Sequence, residues 1–272
     1  MTTTTAAPSP AQRRSAAERY WRSLWLLTVR DLRVRYTTSF LGYLWSIIDP
    51  LLMACIYYFV FVLVFRRQGT LGEEPYIVFL VSGLLPWMWF SNAVTDCTKA
   101  FTREAKLLRS TTIPRTIWVA RMVLSKGIEF VISIPVLILF AVVFGAAFHW
   151  QTVLWLLAVV LQAALLMGIG LIVAPLVVFF RDLERAIRLV LRLLFYATPI
   201  VYSFDQLDHL GAIKTVAAFN PLSGIMGLYR SAFFPQDLDW FSVGASALVA
   251  IVLLVVGVFV FRGSIRTVLK EI

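Results

Sequence analysis

The chain has 272 residues, 60% hydrophobic and 15% charged, with a mean hydropathy of +0.83 and a formal net charge of +10. A soluble domain of this length carries about 25% charged residues, so the composition argues against an ordinary soluble enzyme. The position of the charge argues against nucleic-acid binding, because the basic residues stand in short segments beside apolar runs, as membrane orientation is encoded.

In chain order, residues 1–15 begin MTTTTAAPSPAQ and read as a small, polar, Pro-containing, disordered tail. No apolar core with a small-residue cleavage site precedes the apolar runs, so no secretory signal is expected. Residues 16–40 form an amphipathic segment with its helix over 16–36. At 3.6 residues per turn Trp21, Leu24, Trp25, Val29, Leu32 and Tyr36 share one face and Arg19, Arg22, Arg30 and Arg33 another. Tryptophans flanked by arginines suit a helix lying in the membrane interface; a helix packed on a soluble partner would read the same way.

Six apolar spans are expected at 44–65, 76–95, 117–148, 153–180, 187–203 and 241–261, against about 20 residues for a bilayer crossing. The fifth is short, and Lys126, Glu129 and Pro135 interrupt the third. Asp49 sits about one turn inside the first span, and Pro50 removes a backbone donor there and bends it. Six crossings put both ends of the chain on one side. Segments 1–43, 96–126, 181–192 and 262–272 hold 21 of the 25 basic residues, which makes that side cytoplasmic.

Chemistry is sparse. No phosphate-cradling G-x-x-x-x-G-K-[ST] occurs, and His149 and His209 lack metal-ligand spacing. Cys55 and Cys97 read as small buried hydrophobes. Apart from Asp49 and a Lys126–Glu129 pair the spans are nearly free of charge, which disfavours a carrier driven by protons or sodium. Aromatic surface is abundant. Tyr57, Tyr58, Phe61, Trp87, Phe90, Tyr196 and Tyr202 could stack on sugar faces, or could serve as an interfacial belt and helix packing. Segment 96–116 surrounds Phe101, Leu107 and Leu108 with Lys99, Arg103, Glu104, Lys106 and Arg109. It suits docking on a cytoplasmic protein, or is a plain basic loop. Segment 204–240 is too apolar for a solvated loop and too short to span, so its pieces are expected to dip back and pack on the bundle.

The stretch RDLRVRYTTSFLGYLWSIIDPLL (30–52) resembles the N-terminal signature of type-2 ABC exporter permeases of the polysaccharide class. YIVFLVSGLLPWMWFSNAV (76–94), LLRSTTIPR (107–115), FFRDLERAIRLVLRLLFYATPIVY (179–202) and NPLSGIMGLYR (220–230) resemble the same family in the same order. The resemblance covers roughly 25–265. It implies an all-α membrane protein: six transmembrane helices over 41–265, an interface helix, a coupling helix within 96–116, re-entrant gate helices within 204–240 and a cytoplasmic tail at 266–272. It implies a homodimer on two separately encoded ATPase subunits, which hold the ATP and Mg, with no cofactor bound by this chain.

The implied cargo is a polysaccharide linked to polyprenyl pyrophosphate, of O-antigen, teichoic acid or cell-wall galactan type. On that reading Arg103, Glu104, Lys106, Leu107, Leu108 and Arg109 couple to the ATPase, and the seven aromatics line the glycan channel. Arg30, Arg33, Arg35, Arg181 and Arg185 attract the pyrophosphate. Alternatives are an ABC exporter of a small lipid or drug, and a membrane-embedded transferase or ATP-independent flippase.

Overall fold

The computed structural model describes residues 15–37, 42–64, 70–71, 74–204, 211 and 216–271. The disordered tail expected at the N-terminus therefore lies almost wholly outside the described residues, as does His209. The described chain is helical apart from a two-residue antiparallel ladder, Thr70–Leu71 (β1) with Glu74–Pro75 (β2). Among the described residues four helices are long and apolar enough to cross a membrane. They are α3 (Tyr76–Cys97), α5 (Thr116–Phe144), α6 (Leu154–Phe179, entered through a 3₁₀ turn at Trp150–Val153) and α9 (Trp240–Glu271).

The other two expected spans differ from these. The first is α2 (Trp45–Tyr58), continued by a π-helical turn over Phe59–Val64. Its 20 residues reach roughly 30 Å only if both pieces are counted. Pro50 lies buried inside α2, where it leaves the Ser46 carbonyl without its usual backbone donor. The fifth span, expected at 187–203, is instead α7 (Leu183–Ala197). It starts four residues earlier, spans 15 residues and is strongly amphipathic, burying only Leu191 and Phe195. Arg185, expected before the span, thus lies on the helix with Arg188 and Arg192, because a Leu-Glu-Arg-Ala start favours helix as much as the apolar run that follows.

Two further boundaries moved. Lys126, Glu129 and Pro135 leave α5 unbroken for 29 residues, and it stops at Gly145, whose φ of 73° provides a left-handed cap. Helix α9 runs 32 residues, roughly 48 Å at 1.5 Å each, so it passes well beyond the expected end at residue 261. Its Phe261 meets Phe101 at 6.0 Å.

Contacts fix which ends of the helices lie together. Short helix α4 (Ala105–Ser110) and the long surface helix α1 (Ala16–Thr37) sit at one end of the bundle, with the start of α5. The α5–α6 turn meets the opposite end, where His149 N donates to the Ala232 carbonyl (2.9 Å) just past α8 (Pro221–Arg230). Helix α8 starts at Pro221 behind Asn220, whose side chain accepts from Leu222 N. Eight of its ten residues are buried.

The helix packing relies on glycine where side chains would collide. A Cβ on Gly257 of α9 would stand 2.6 Å from the Gly168 carbonyl oxygen, and one on Gly168 of α6 would stand 2.6 Å from Leu253–Leu254 backbone. Small residues at such a crossing let two backbones approach, as in membrane helix pairs generally. Helix α3 is the most enclosed element, with 83% of its apolar window buried. It is tied to α6 by Gln162, whose Nε2 donates to the Pro86 carbonyl (2.8 Å). Cys97 is fully buried as expected, whereas Cys55 is exposed on α2.

Candidate functional site

The first candidate feature is a clamp of eight charges that ties α1 to the α3–α4 turn and α5. Four residues on α1, α4 and α5 form one half. Arg30 Nη2 meets Asp31 Oδ1 (3.2 Å) and Glu104 Oε1 (2.5 Å), and Arg121 Nη1 meets Asp31 Oδ1 (3.1 Å) and Glu104 Oε2 (3.3 Å). The second half lies one to two turns along. Arg35 bridges Asp96 and Glu129 at 2.8 Å each, and Lys126 holds Glu129 at 2.6 Å. Each half has two cations and two carboxylates, so the clamp is neutral although it bears on the apolar bundle. The Arg121 side chain is wholly excluded from water and its guanidinium lies 4.5 Å from the Trp118 ring centre.

The clamp sets the protonation of its outer members. Partial burial would lower the pKa of Arg30, but Glu104 and Asp31 outweigh it and raise it. Burial would raise Glu104, but Arg30 and Arg121 hold it below its ordinary value. Tyr36, which exchanges a 2.6 Å hydrogen bond with Ser46, is pushed up to about 12 by burial and by Glu129, against the Ser46 bond.

Helix α1 packs on α5 through Leu24, Thr28, Leu32 and Tyr36, with Leu24 against Ile117 and Ala120. Trp21 and Trp25 stay exposed, at 65% and 57%, so the expected tryptophan-bearing face is split between a packed stripe and an open one. On α4, residues three and four apart share a face. Leu107 and Leu108 turn inward, Leu108 completely, with Glu104 just before the helix, while Lys106, Arg109 and the preceding Arg103 are exposed. Phe101 is buried too. The apolar knob read from the sequence thus anchors the loop to the bundle, and the surface α4 offers outward is cationic.

The second feature is a groove of about 500 Å³ between α2, α3 and α7. Tyr57, Trp87, Phe195 and Tyr196 line one part of it, with Phe195 5.8 Å from Tyr57 and 5.4 Å from Trp87. Ser91, Asn92, Thr95, Arg188 and Arg192 line the rest. A smaller cavity of about 270 Å³ adjoins it through Asn92 and Met88, and is lined by Arg35, Asp49, Lys126 and Glu129 among others. At the α8 end, the buried Arg230 donates from Nη2 to the Ile200 carbonyl (2.6 Å) and lies 3.5 Å over Phe79. Ser203 donates to Asp237 (2.6 Å), so both sides strap the 199–204 turn to α8 and its exit.

The expected site residues are distributed as follows. Tyr57, Trp87 and Tyr196 line the groove. Phe90 packs behind Trp87 at 5.6 Å and is buried. Tyr202 borders a neighbouring cavity with Tyr196, to whose carbonyl its hydroxyl donates (3.3 Å). Tyr58 meets Phe144 of α5 instead, and the Phe61 side chain lies outside the described residues. Arg30 and Arg35 are engaged by carboxylates within the clamp. Arg33, Arg181 and Arg185 are exposed on α1 and around the start of α7. Reading the sequence missed Asp31, Asp96 and Arg121 as clamp members, and Asn92, Arg188 and Arg192 in the groove. For Arg192 a signal existed, since it follows Arg188 by four within an apolar helical pattern.

Comparison with known proteins adds a family. Residues 22–234 match the family described as ABC-2 type transporter. The chain is 36% identical over 239 residues to an O-antigen export system permease protein RfbA of Klebsiella pneumoniae, covering 87% of this chain and 90% of that one. A protein of the same description from Myxococcus xanthus is 31% identical over 229 residues, covering 84% and 86%. The polysialic acid transport protein KpsM of Escherichia coli is 26% identical over 242 residues, covering 87% and 91%.

Proposed function

The chain belongs to the ABC-2 type transporter family, and we propose that it is the membrane subunit of an ATP-driven exporter that carries a lipid-linked polysaccharide out of the cytoplasm. The coarser part of this, a polysaccharide-export permease, follows from the family and its relatives. The observation that carries the rest is the α2–α3–α7 groove, where aromatic faces stand beside hydroxyl, amide and guanidinium groups. Rings present faces to sugars while the polar groups meet hydroxyls, and a drug-sized apolar cargo would have no use for the latter.

On this reading two copies work with two ATPase subunits, which bind ATP and Mg, at the cytoplasmic end that carries α1 and α4. The exposed Lys106 and Arg109 of α4, with Arg103 just before it, face an acidic partner surface. A push on α4 passes through Glu104 to Arg121 and Arg30, and so to α5 and α1 together, because the clamp joins all three. The strapped turn at the α8 end forms the outer gate. The test is ATP-dependent export of a defined lipid-linked glycan into vesicles by the chain reconstituted with its ATPase. Export that requires both ATP and this chain is expected; a complex that hydrolyses ATP but moves no glycan refutes the proposal.

A further inference from the structure

Arg192 is out of place on an apolar helix. It is the tenth residue of α7, so at 1.5 Å per residue it stands roughly 13 Å along a helix whose neighbours Leu189, Val190, Leu193 and Tyr196 are exposed and mostly apolar. It has no hydrogen-bond or ion-pair partner among the described residues, and it lines the groove. Arg188, one turn earlier and on the same wall, is shared with Glu184 (2.5 Å). Opposite them the Asn92 carboxamide of α3 is exposed and likewise without a partner among the described residues. A cation without a counter-charge on an otherwise apolar stretch of helix, lining a groove, is available to a ligand.

The neighbouring polar cavities do not offer this. In the cavity around Tyr36, Asp49 and Glu129 balance Arg35 and Lys126. Between α1 and α4, Arg30 and Arg35 are engaged by the clamp. Among the groove's lining residues there is no carboxylate, so its polar part is cationic. Guanidinium groups present planar donors suited to phosphate oxygens, and residues four apart on a helix have Cβ atoms about 5–6 Å from each other, near enough to share one ligand group.

We propose that Arg188 and Arg192, with Asn92, form an anion seat for the phosphate of a phosphate-linked sugar whose ring lies against Tyr57, Trp87 and Tyr196. This rests on the polysaccharide-export reading above and moves the phosphate contact away from α1.

The test uses the purified full chain in phosphatidylcholine nanodiscs. Three probes are titrated: a citronellyl diphosphate-linked N-acetylglucosamine, free N-acetylglucosamine and inorganic pyrophosphate. The linked probe is expected to bind, and R188Q/R192Q to weaken it at least tenfold while R188K/R192K retains part. Pyrophosphate should bind more weakly with the same arginine dependence, and the free sugar should bind weakly and independently of both arginines. Equal binding of the linked probe by wild type and R188Q/R192Q overturns the seat. So does displacement of the probe by phosphatidylglycerol discs, which would make the seat one for any lipid phosphate. Melting of the variants is followed to exclude unfolding, and R192E, which reverses the charge, must bind less than R192Q.

Export separates the two readings. A wild-type complex that exports while R188Q/R192Q exports equally well sinks only the seat. A wild-type complex that exports nothing, yet binds the probe through both arginines, sinks the function and leaves the seat standing.

Discussion

Arg121→Met tests whether the clamp acts as a unit. The Arg121 side chain has no solvent contact, and its Nη1 lies between Asp31 (3.1 Å) and Glu104 (3.3 Å). Methionine keeps an unbranched apolar stem without the guanidinium, so that half of the clamp goes from two cations and two carboxylates to one cation and two carboxylates. Removing one partner of a buried pair costs about 3–5 kcal/mol, because the other charge is left uncompensated. At roughly 2 °C per kcal/mol for a chain of this size, the apparent melting temperature should fall by on the order of 6–10 °C. Adding Glu104→Gln removes the stranded carboxylate and leaves Arg30 with Asp31. The double variant should therefore melt higher than Arg121→Met alone, with a coupling of about 1–3 kcal/mol between the two positions. Fluorescence melting of wild type, both single variants and the double in detergent gives the cycle. Losses that simply add would show that the two residues do not act together, and the proposed path from α4 to α5 would fall with them.

The acid limb of stability supplies an independent check. Glu104 is held below its ordinary value of 4.5, so its contribution is complete above about pH 4.5 and lost as pH falls through the depressed folded value. Wild type should lose melting temperature more steeply over that window than Glu104→Gln, and equal slopes would remove Glu104 from the account. Tyr196→Ala should leave stability within about 0.5 kcal/mol, since the ring is 71% exposed, while glycan export in vesicles falls several-fold; full export would take the ring out of the path. Gly257→Ala places a Cβ 2.6 Å from the Gly168 carbonyl oxygen, and forcing α6 and α9 apart should destabilise by about 1–3 kcal/mol. A melting temperature equal to wild type would mean that the crossing tolerates the extra carbon.

Hydropathy alone placed α3, α6 and the start of α9, because a crossing helix is marked by a long apolar run whatever surrounds it. It also found α1, whose 3.6-residue pattern is local. It misplaced α7, expected at 187–203 and found at Leu183–Ala197, because arginines at 185, 188 and 192 blur the start of the run in a hydropathy window and are one stripe of an amphipathic helix. The apolar residues of α4 were visible, but not the direction they point. A six-residue helix is oriented by what lies beneath it, here the bundle that buries Leu108 and Phe101.

The arginines of RDLRVR illustrate the harder limit. Their charge and position orient a membrane segment, and that much is local. Their partners are not: Arg30 reaches Glu104 across 74 residues, and Arg35 reaches Asp96 and Glu129 across 61 and 94. A sequence therefore presents five arginines as equivalent anion binders when the fold has already given two of them carboxylates. What distinguishes a binding arginine from a structural one is the absence of a counter-charge in three dimensions. By that criterion Arg192 is the arginine of α7 left for a ligand, with Arg188 beside it shared with Glu184, while Arg30 and Arg35 are spent on carboxylates within the clamp.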